Sequence, residues 1–224
     1  ISTLTLIALS FIMHVSWAQT FPDFTLKSKN VVVTATTLEF DMYLLHTNPS
    51  VVPQFNYSAG QYVLNFNNAL LLAGTTTTSS IVTSELPTGV WPNAPANPLP
   101  TQNGVKIIRM AVNALNSGIV ANIGTTGDGT LVGKVRITAT AGGFDVTQPV
   151  NLSWITSGAG AITKMNAWID DGFGTLVSTN ITTAGTFVNE NPTTCTPPAA
   201  PTLSSTHPAC GQTTGSITVT NVQA

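Results

Sequence analysis

The residues of this chain that could do nucleophilic or acid–base chemistry are few. Its 224 residues include three histidines, which are His14, His46 and His207. A Ser-His-Asp relay needs a nucleophile beside its histidine, and the sequence contains no G-x-S-x-G motif. His46 lies between an apolar pair and Asn48-Pro49, a setting that is typical of a turn residue at a strand end. The histidines therefore predict no catalytic relay.

Paired carboxylates are the second possible source of chemistry, because glycoside hydrolysis uses two of them facing each other across a substrate. Glu39 and Asp41 share one face of a predicted strand. Spacing along a strand does not establish that two carboxylates flank a cleft, and on a polar face such pairs usually serve solvation. We therefore predict that the chain is not an enzyme.

Two turns offer oxygen ligands to a calcium ion. They are Gly127-Asp128-Gly129 and Asp170-Asp171-Gly172, where carboxylates stand close to backbone carbonyls. Neither turn matches the D-x-[DN]-x-[DN]-G loop, and Asp and Gly are also what tight turns require. We predict no cofactor, with Asp128, Asp170 and Asp171 as weak candidates for binding a structural calcium ion.

Aromatic side chains are candidates for sugar binding, in which an exposed ring stacks on the sugar and polar neighbours bond its hydroxyls. Trp168 shares a strand face with Asn166, and Trp91 lies in a Pro-rich loop. Tyr57 and Tyr62 flank a predicted turn at residues 58–60. The candidate ligand-binding residues are therefore Trp91, Trp168, Tyr57 and Tyr62.

The composition indicates which elements must position these residues. Charged residues make up 7% of the chain, where about 25% is usual, and 42% of the residues are hydrophobic. Thr, Ser and Asn must supply the solvated surface, whereas helix bundles use Glu, Lys and Arg for this. A net charge of −2 and a pI near 5.8 leave no basic surface for a nucleic-acid partner or an anionic membrane. The composition favours an all-β protein.

Apolar residues alternate with polar ones through most of the chain. Leu38, Phe40, Met42 and Leu44 form one such series. Leu152 and Trp154 share a second apolar face, opposite Asn151 and Ser153, and we expect Trp154 in the core. Gly, Pro and Asn turns separate the segments. This pattern predicts an all-β fold, an antiparallel two-sheet β-sandwich with Greek-key connections over residues 19–188. Further predicted elements are strands at 62–66, 108–112, 135–137, 165–169 and 182–188, an edge or surface strand at 75–83, and a helical turn at 67–72.

The first 18 residues have the features of a secretory signal peptide. An apolar run from Leu4 to Val15 precedes Ser16-Trp17-Ala18, with small residues at −3 and −1 of a cut after Ala18. The run is shorter than the roughly 20 apolar residues that a membrane span needs. We predict a mature chain that starts at Gln19, is secreted, and does not insert into a membrane. An apolar strand or a short anchor is the alternative.

Two segments are rich in proline. Residues 86–102 carry five prolines around Trp91 and cannot form a central strand. Residues 189–201 are predicted to be a semi-rigid linker, followed at residues 202–224 by the incomplete start of a second β module. Cys195 and Cys210 lack metal-type spacing. A mutual disulfide would close a loop of about 15 residues. Because the intervening prolines favour an extended form, pairing with cysteines outside the fragment is as plausible.

Two stretches of the tail carry a resemblance to known proteins. They are Thr206-His-Pro-Ala-Cys210 and Thr214-Gly-Ser-Ile-Thr-Val219, and they resemble the tandem surface repeats of secreted Bacteroidota adhesins. The main body, with the segments 38–44, 57–66 and 129–137, is similar to the cohesin-like and carbohydrate-binding-module-like sandwiches of such proteins, which are Ig-like in architecture. The resemblance implies a large extracellular or outer-surface protein, exported by Sec and then by a type IX route.

These features together predict a non-enzymatic extracellular module that acts in adhesion, spacing or protein–protein assembly. The alternative is a carbohydrate-binding module of a surface adhesin or of a polysaccharide-degrading enzyme. That alternative would be favoured if Trp91, Trp168 and Tyr57 lined one exposed strip. The expected partner is an extracellular protein or a polysaccharide.

Overall fold

The computed structural model describes residues 20–112 and 121–192, and the backbone of two short strands further along the chain. The predicted signal peptide, most of the predicted linker, and both Cys195 and Cys210 lie outside the described residues. The chain divides into two units, Ile1–Asn191 and Pro192–Ala224. Among the described residues, no helix has both the length and the apolar character needed to cross a membrane.

The described part of the first unit is built from strands and short 3-10 turns. The strands are β1 Phe24–Val33, β2 Thr37–His46, β3 Asn56–Asn65, β4 Thr76–Thr83, β5 Thr101–Gln102, β6 Val105–Ala111, β7 Ala121–Asn122, β8 Thr130–Ala141, β9 Ser153–Trp154, β10 Lys164–Asp170, β11 Leu176–Asn180 and β12 Gly185–Asn189. The 3-10 turns are Asn68–Leu70, Thr88–Val90 and Thr182–Ala184. The first of these confirms the predicted helical turn at 67–72.

The strands form two sheets, which confirms the predicted all-β, two-sheet architecture. Sheet 1 has the order β12-β1-β2-β8-β4. Sheet 2 has the order β11-β10-β3-β6-β5, and β7 and β9 also pair with β3. The predicted edge strand at 75–83 is β4, at one end of sheet 1.

The sandwich is not purely antiparallel, because β12 pairs with β1 in parallel from Phe24↔Gly185 to Ser28↔Asn189. The chain leaves sheet 2 after β11 and makes the 3-10 turn Thr182–Ala184. It then enters sheet 1 beside its first strand, in the same direction. The predicted strand at 182–188 is therefore a turn followed by a shorter strand. The alternation of polar and apolar residues did not predict β11 at all.

Alternation along the strands decides which side chains lie between the sheets. The inward residues of β2 are completely buried, as predicted: Leu38, Phe40, Met42 and Leu44. Leu152 and Trp154 are also in the core, at 1% and 8% exposure, which confirms their predicted place. Burying an aliphatic or aromatic side chain of this size stabilises the fold by about 1.5–3 kcal/mol. The core between the two sheets holds the strand edges and hairpins in position.

The turn predicted at residues 58–60 is wrong, since these residues lie inside β3. A register shift in the pairing with β10 places one extra residue in β3, so that Asn166 pairs with Ala59 and Ala167 with Tyr57. Gly60 serves packing: a Cβ atom there would lie 2.6 Å from Tyr62 Oη and 2.8 Å from Tyr57 Oη. In this strand glycine marks the close approach of two rings to the backbone.

The Pro-rich segment 86–102 forms no central strand, as predicted: apart from the 3-10 turn Thr88–Val90 and the two-residue end strand β5 it is a loop, and it is packed. Trp91 Nε1 donates a 2.6 Å hydrogen bond to Leu86 O, and Asn93 N donates one of 3.0 Å to Ala111 O. We call this segment the strap, because it runs along the edge of β6 and closes one side of the sandwich. It is a structural part of the first unit.

The sandwich extends to Asn191, so the first three residues of the predicted linker belong to it. Glu190 N donates to Ser28 O at 2.8 Å, and Asn191 Oδ1 accepts from Leu152 N at 2.7 Å. In the second unit, β13 (Thr202–Thr206) and β14 (Ser216–Thr220) form an antiparallel pair. The start of another β module at residues 202–224 stays a prediction.

Candidate functional site

The most exposed large apolar side chain among the described residues stands at the tip of the β10–β11 hairpin. Phe173 is 92% exposed. It is flanked by Gly172 and Gly174, both with positive φ (86° and 82°), a conformation that glycine adopts without strain. The turn therefore projects one aromatic ring into solvent between two glycines that supply the left-handed backbone conformation.

Two carboxylates hold this turn in shape. Asp170 Oδ1 accepts hydrogen bonds from Gly172 N at 2.8 Å and Gly174 N at 3.1 Å. Asp171 Oδ1 accepts from Phe173 N at 2.8 Å and from a second backbone amide, at residue 175. The carboxylates of the predicted calcium candidates Asp170 and Asp171 thus satisfy backbone amides, as Asp does in tight turns. The tip is ordered by its own side chains.

Further apolar surface lies beside Phe173 on the same hairpin. Leu176 and Val177 of β11 are 36% and 45% exposed. Trp168 of β10 is half-buried and lies opposite Ser178, so Leu176 is its diagonal neighbour on the outer face of sheet 2. We call these four residues, Trp168, Phe173, Leu176 and Val177, the hairpin surface. It wraps around the end of sheet 2.

Tyr57 and Tyr62, predicted as ligand-binding residues, are instead in the core. Both are 0% exposed, and their hydroxyl oxygens lie 2.8 Å apart in a hydrogen bond. Burial raises the pKa of both phenols above the usual range. Neither ring can stack on a sugar at the surface, because no face of it is accessible.

The exposed strip that would favour sugar binding is not formed. It required Trp91, Trp168 and Tyr57 together, and Tyr57 is buried. Trp91 is half-buried, packs against the core and anchors the strap through its indole N–H. Of the predicted aromatic candidates, Trp168 alone remains beside a large exposed apolar surface.

Charge is concentrated on the outer face of sheet 1. Asp128 accepts from Lys27 Nζ at 3.2 Å and from Lys29 Nζ at 2.8 Å, one bond on each carboxylate oxygen. The hydrogen bond from Lys29, followed by that from Lys27, lowers the pKa of Asp128. A calcium ion would have to displace two ammonium groups. The contacts of Asp128 are therefore those of an ion pair.

The two carboxylates of β2 belong to the same charged face. Glu39 pairs with Arg136 and, at 4.0 Å, with Lys134. Asp41 is 6% exposed; its Oδ2 accepts from Asn30 Nδ2 at 2.8 Å, and its Oδ1 lies 3.8 Å from Lys134 Nζ. These carboxylates join β2 to β8 through ion pairs and β2 to β1 through the hydrogen bond from Asn30. Among the described residues, no group of three or more His, Cys, Asp or Glu could hold a metal ion.

His46 ends β2, as its sequence setting predicted. It is 1% exposed, its Nε2 lies 3.0 Å from Asn48 Oδ1, and its ring meets Phe55 edge-on at 6.0 Å. Asn48 also bonds the backbone at Asp23 and Phe21. These contacts account for His46 as a packing residue that fixes the loop after β2.

An open pocket of about 350 Å³ lies between β4 and the strap. Its only charged lining group is the ammonium of Lys106, which already donates to Leu99 O at 3.3 Å. The other lining residues are uncharged, with hydroxyl, amide or apolar side chains: Leu71, Thr75, Thr76, Thr77, Thr78, Asn97, Pro98, Leu99 and Thr140. The lining residues include no aromatic ring and one charged group that is already bonded, so the hairpin surface is the stronger candidate site.

Sequence reasoning missed Phe173. The available signal was the run Asp170-Asp171-Gly172-Phe173-Gly174, in which an aromatic residue sits among residues that build turns. A large apolar side chain in such a position has no strand to bury it. The same run was interpreted through its carboxylates alone.

No family model matches the sequence, and no curated protein matches it. Among solved structures, a type II cohesin–X–dockerin complex from Acetivibrio cellulolyticus matches with 13% identity and a TM-score of 0.41, over 76% of this chain and 97% of that one. A type II cohesin dyad from an adaptor scaffoldin of the same organism matches with 11% identity and a TM-score of 0.41, over 77% and 48%. The endoglucanase CelQ from Clostridium thermocellum, complexed with cellotriose, matches with 14% identity and a TM-score of 0.40, over 75% and 26%. Values this low describe a loose likeness in strand arrangement and carry nothing about partners.

Proposed function

We propose that this chain is a non-enzymatic module of a secreted or cell-surface protein and that it works by binding another protein through the hairpin surface. The observation that carries the proposal is Phe173, 92% exposed on a turn that Asp170 and Asp171 hold in shape. Adhesion, spacing and assembly are all served by such a contact.

The energetics favour this surface over the rest of the exterior. Moving a phenylalanine ring from water into a partner's pocket gains about 1.5–3 kcal/mol. The carboxylate bonds to the turn have already ordered the backbone, so less conformational entropy is lost on binding. Aromatic residues are enriched among the residues that dominate protein interfaces, and Trp168 lies nearby. The hairpin surface therefore combines an anchor with preorganisation.

The charged face of sheet 1 is a weaker site for contact. Its ammonium and carboxylate groups are paired with each other, so a partner would have to replace bonds that already exist. Charges on a rim of this kind chiefly influence association rates and specificity. The hairpin surface presents apolar groups that gain from any dry contact.

Site-specific photo-cross-linking tests the proposal. A benzophenone amino acid is placed at position 173 in one protein and at Val51, 63% exposed in a loop, in a matched control. Each is irradiated with the extracellular proteins of the source cells. We expect a discrete protein adduct from position 173 and none from position 51. Equal adducts at both positions, or none at 173, would overturn the proposal.

A further inference from the structure

At the open edge of sheet 2, odd- and even-numbered residues of β11 direct their backbone hydrogen-bonding groups to opposite sides of the strand. Antiparallel neighbours alternate between residues that bond the adjacent strand and residues that point away from it. Two bonds flank the β10–β11 ladder: Asp171 N donates to Thr175 O at 2.9 Å, and Ile181 N donates to Met165 O at 2.8 Å. Because 175 and 181 are both odd, the odd-numbered residues of β11 bond β10.

The even-numbered residues of β11 consequently direct their backbone N–H and C=O groups away from the sheet. These are Leu176, Ser178 and Asn180. No strand of the described residues pairs with this side of β11, which ends the sheet. A row of backbone donors and acceptors of this kind is a template for another strand.

The strands at the other ends of sheets 1 and 2 are protected. β4 has two register shifts and is bonded to the strap through Thr77 Oγ1 and Asn97 Oδ1, and β5 has only two residues. β12 is flanked by the segment at Leu152, whose N–H and C=O bond the side chain of Asn191. By contrast, β11 has no proline, no charge and no register shift against β10. Natural proteins usually guard an edge with one of these devices.

We propose that β11 pairs antiparallel with β11 of a second copy of this chain, joining two sheets across a twofold axis. This inference rests on the proposed function and names its partner. The even residues of the two strands must face each other, which a centre at Val177 or at Ser178 allows; we place the centre at Val177, because there the apolar Val177 side chains of the two copies meet. Since the strand is uncharged, self-pairing opposes no like charges. A twofold contact of one patch with itself is the commonest route to a dimer.

The same pairing brings apolar side chains of the two hairpin surfaces together. With the centre at Val177, the two copies of this 45% exposed side chain face each other directly. Phe173 stands four residues before the centre, so each ring lies beyond the end of the second copy's strand, where it can pack. Backbone bonds give the contact its register, and Phe173, Leu176 and Val177 give it apolar area.

Sedimentation velocity of the purified chain over a wide concentration range tests this inference. The variant Val177→Lys places two ammonium groups opposite each other at the centre, whereas Val51→Lys adds the same charge at an exposed loop. We expect the unaltered chain and V51K to dimerise alike, and V177K to dimerise at least about tenfold more weakly, as about 1.4 kcal/mol of repulsion requires. Circular dichroism checks that both variants fold.

A monomer at every concentration, or equal dimerisation of V177K and V51K, overturns the inference. A different combination of results distinguishes failure of this inference from failure of the proposed function. If the chain is monomeric while position 173 still cross-links a different protein, the docking role stands and self-pairing is wrong. If it is monomeric and position 173 cross-links nothing, both are wrong.

Discussion

The hydroxyl oxygens of Tyr57 and Tyr62 lie 2.8 Å apart at the centre of the sandwich, with both rings fully buried. Gly60 lies between these residues along β3, and its missing side chain is what lets the two phenols meet over the backbone. The pair satisfies two polar groups that would otherwise be buried without partners, each at a cost of about 1–3 kcal/mol. From the sequence we interpreted this glycine as part of a tight turn, whereas in the structure it is a packing residue.

Replacing Gly60 with alanine should destabilise the fold by about 1–3 kcal/mol, because the new methyl group would overlap both hydroxyls. Urea unfolding measures the change in the free energy of unfolding. Gly133→Ala is the matched control, because Gly133 lies in β8 and a Cβ atom there would lie 3.4 Å from Ile81 Cγ2, an ordinary contact distance. Equal losses in the two variants would contradict this account of Gly60.

High pH should unfold the protein through its tyrosines. Burial raises the folded-state pKa of Tyr57 and Tyr62, and to a lesser degree that of Tyr43, above the ordinary value of about 10. Above that value the unfolded chain loses protons that the folded chain keeps, so stability is full below about pH 10 and falls as the pH rises further. Tyrosinate absorbance should therefore rise together with loss of the β-sheet circular dichroism signal. Ionisation of all three tyrosines near pH 10 in a protein that stays folded would disprove this.

The two carboxylate sites on sheet 1 should differ in their contribution to stability. Asp41→Ala removes a 6% exposed carboxylate that accepts from Asn30 Nδ2 at 2.8 Å and lies 3.8 Å from Lys134 Nζ, and because hydrogen bonds to charged groups are among the stronger ones we expect a loss of about 1–3 kcal/mol. Asp128→Ala breaks two ion pairs in a half-exposed position, so we expect less than about 1 kcal/mol, falling further in high salt. Urea unfolding at two salt concentrations compares them. A larger loss for Asp128→Ala would reverse the assignment.

Removing the Asp171 carboxylate should loosen the hairpin tip. In Asp171→Ala the amides of Phe173 and Thr175 lose their acceptor, so we expect hydrogen exchange at these amides to speed up several-fold while the core strands are unchanged. Asp145→Ala is the control, because Asp145 caps its own turn at Thr147 elsewhere in the sandwich. Unchanged exchange at residues 173 and 175 would mean that the glycines alone shape the turn.

Interior strands were predictable because one face of each is covered. Leu38, Phe40, Met42 and Leu44 alternate with polar residues, and the structure buries all four. The edge strand β11, by contrast, was not predicted from the sequence. Its sequence, Leu176–Asn180, does not alternate, because at the end of the sheet neither face is fully covered. The candidate site lies on that strand and its turn.

The predicted binding residues also differ in burial, and the sequence could not predict which of them would be exposed. Trp168 and Tyr62 occupy comparable alternating positions, yet one is half-exposed on the outer face of sheet 2 and the other is fully buried. Alternation distinguishes the two faces of a strand without saying which one the second sheet will cover. The carboxylates of Asp128, Asp170 and Asp171 were similarly ambiguous until their hydrogen-bond partners were known.

Composition and periodicity by themselves determined that this chain is an all-β sandwich, because a chain with so few charges must bury one face of each strand and solvate the other with hydroxyls and amides. Tertiary structure alone decided that Gly60 serves two tyrosines, that Asp128 serves two lysines, and that β11 ends a sheet beside an exposed Phe173. The burial of the tyrosine pair and the edge position of β11 depend on which strands become neighbours, and the Asp128 ion pairs join segments about a hundred residues apart. Neither kind of neighbour relationship leaves a periodic trace in the sequence.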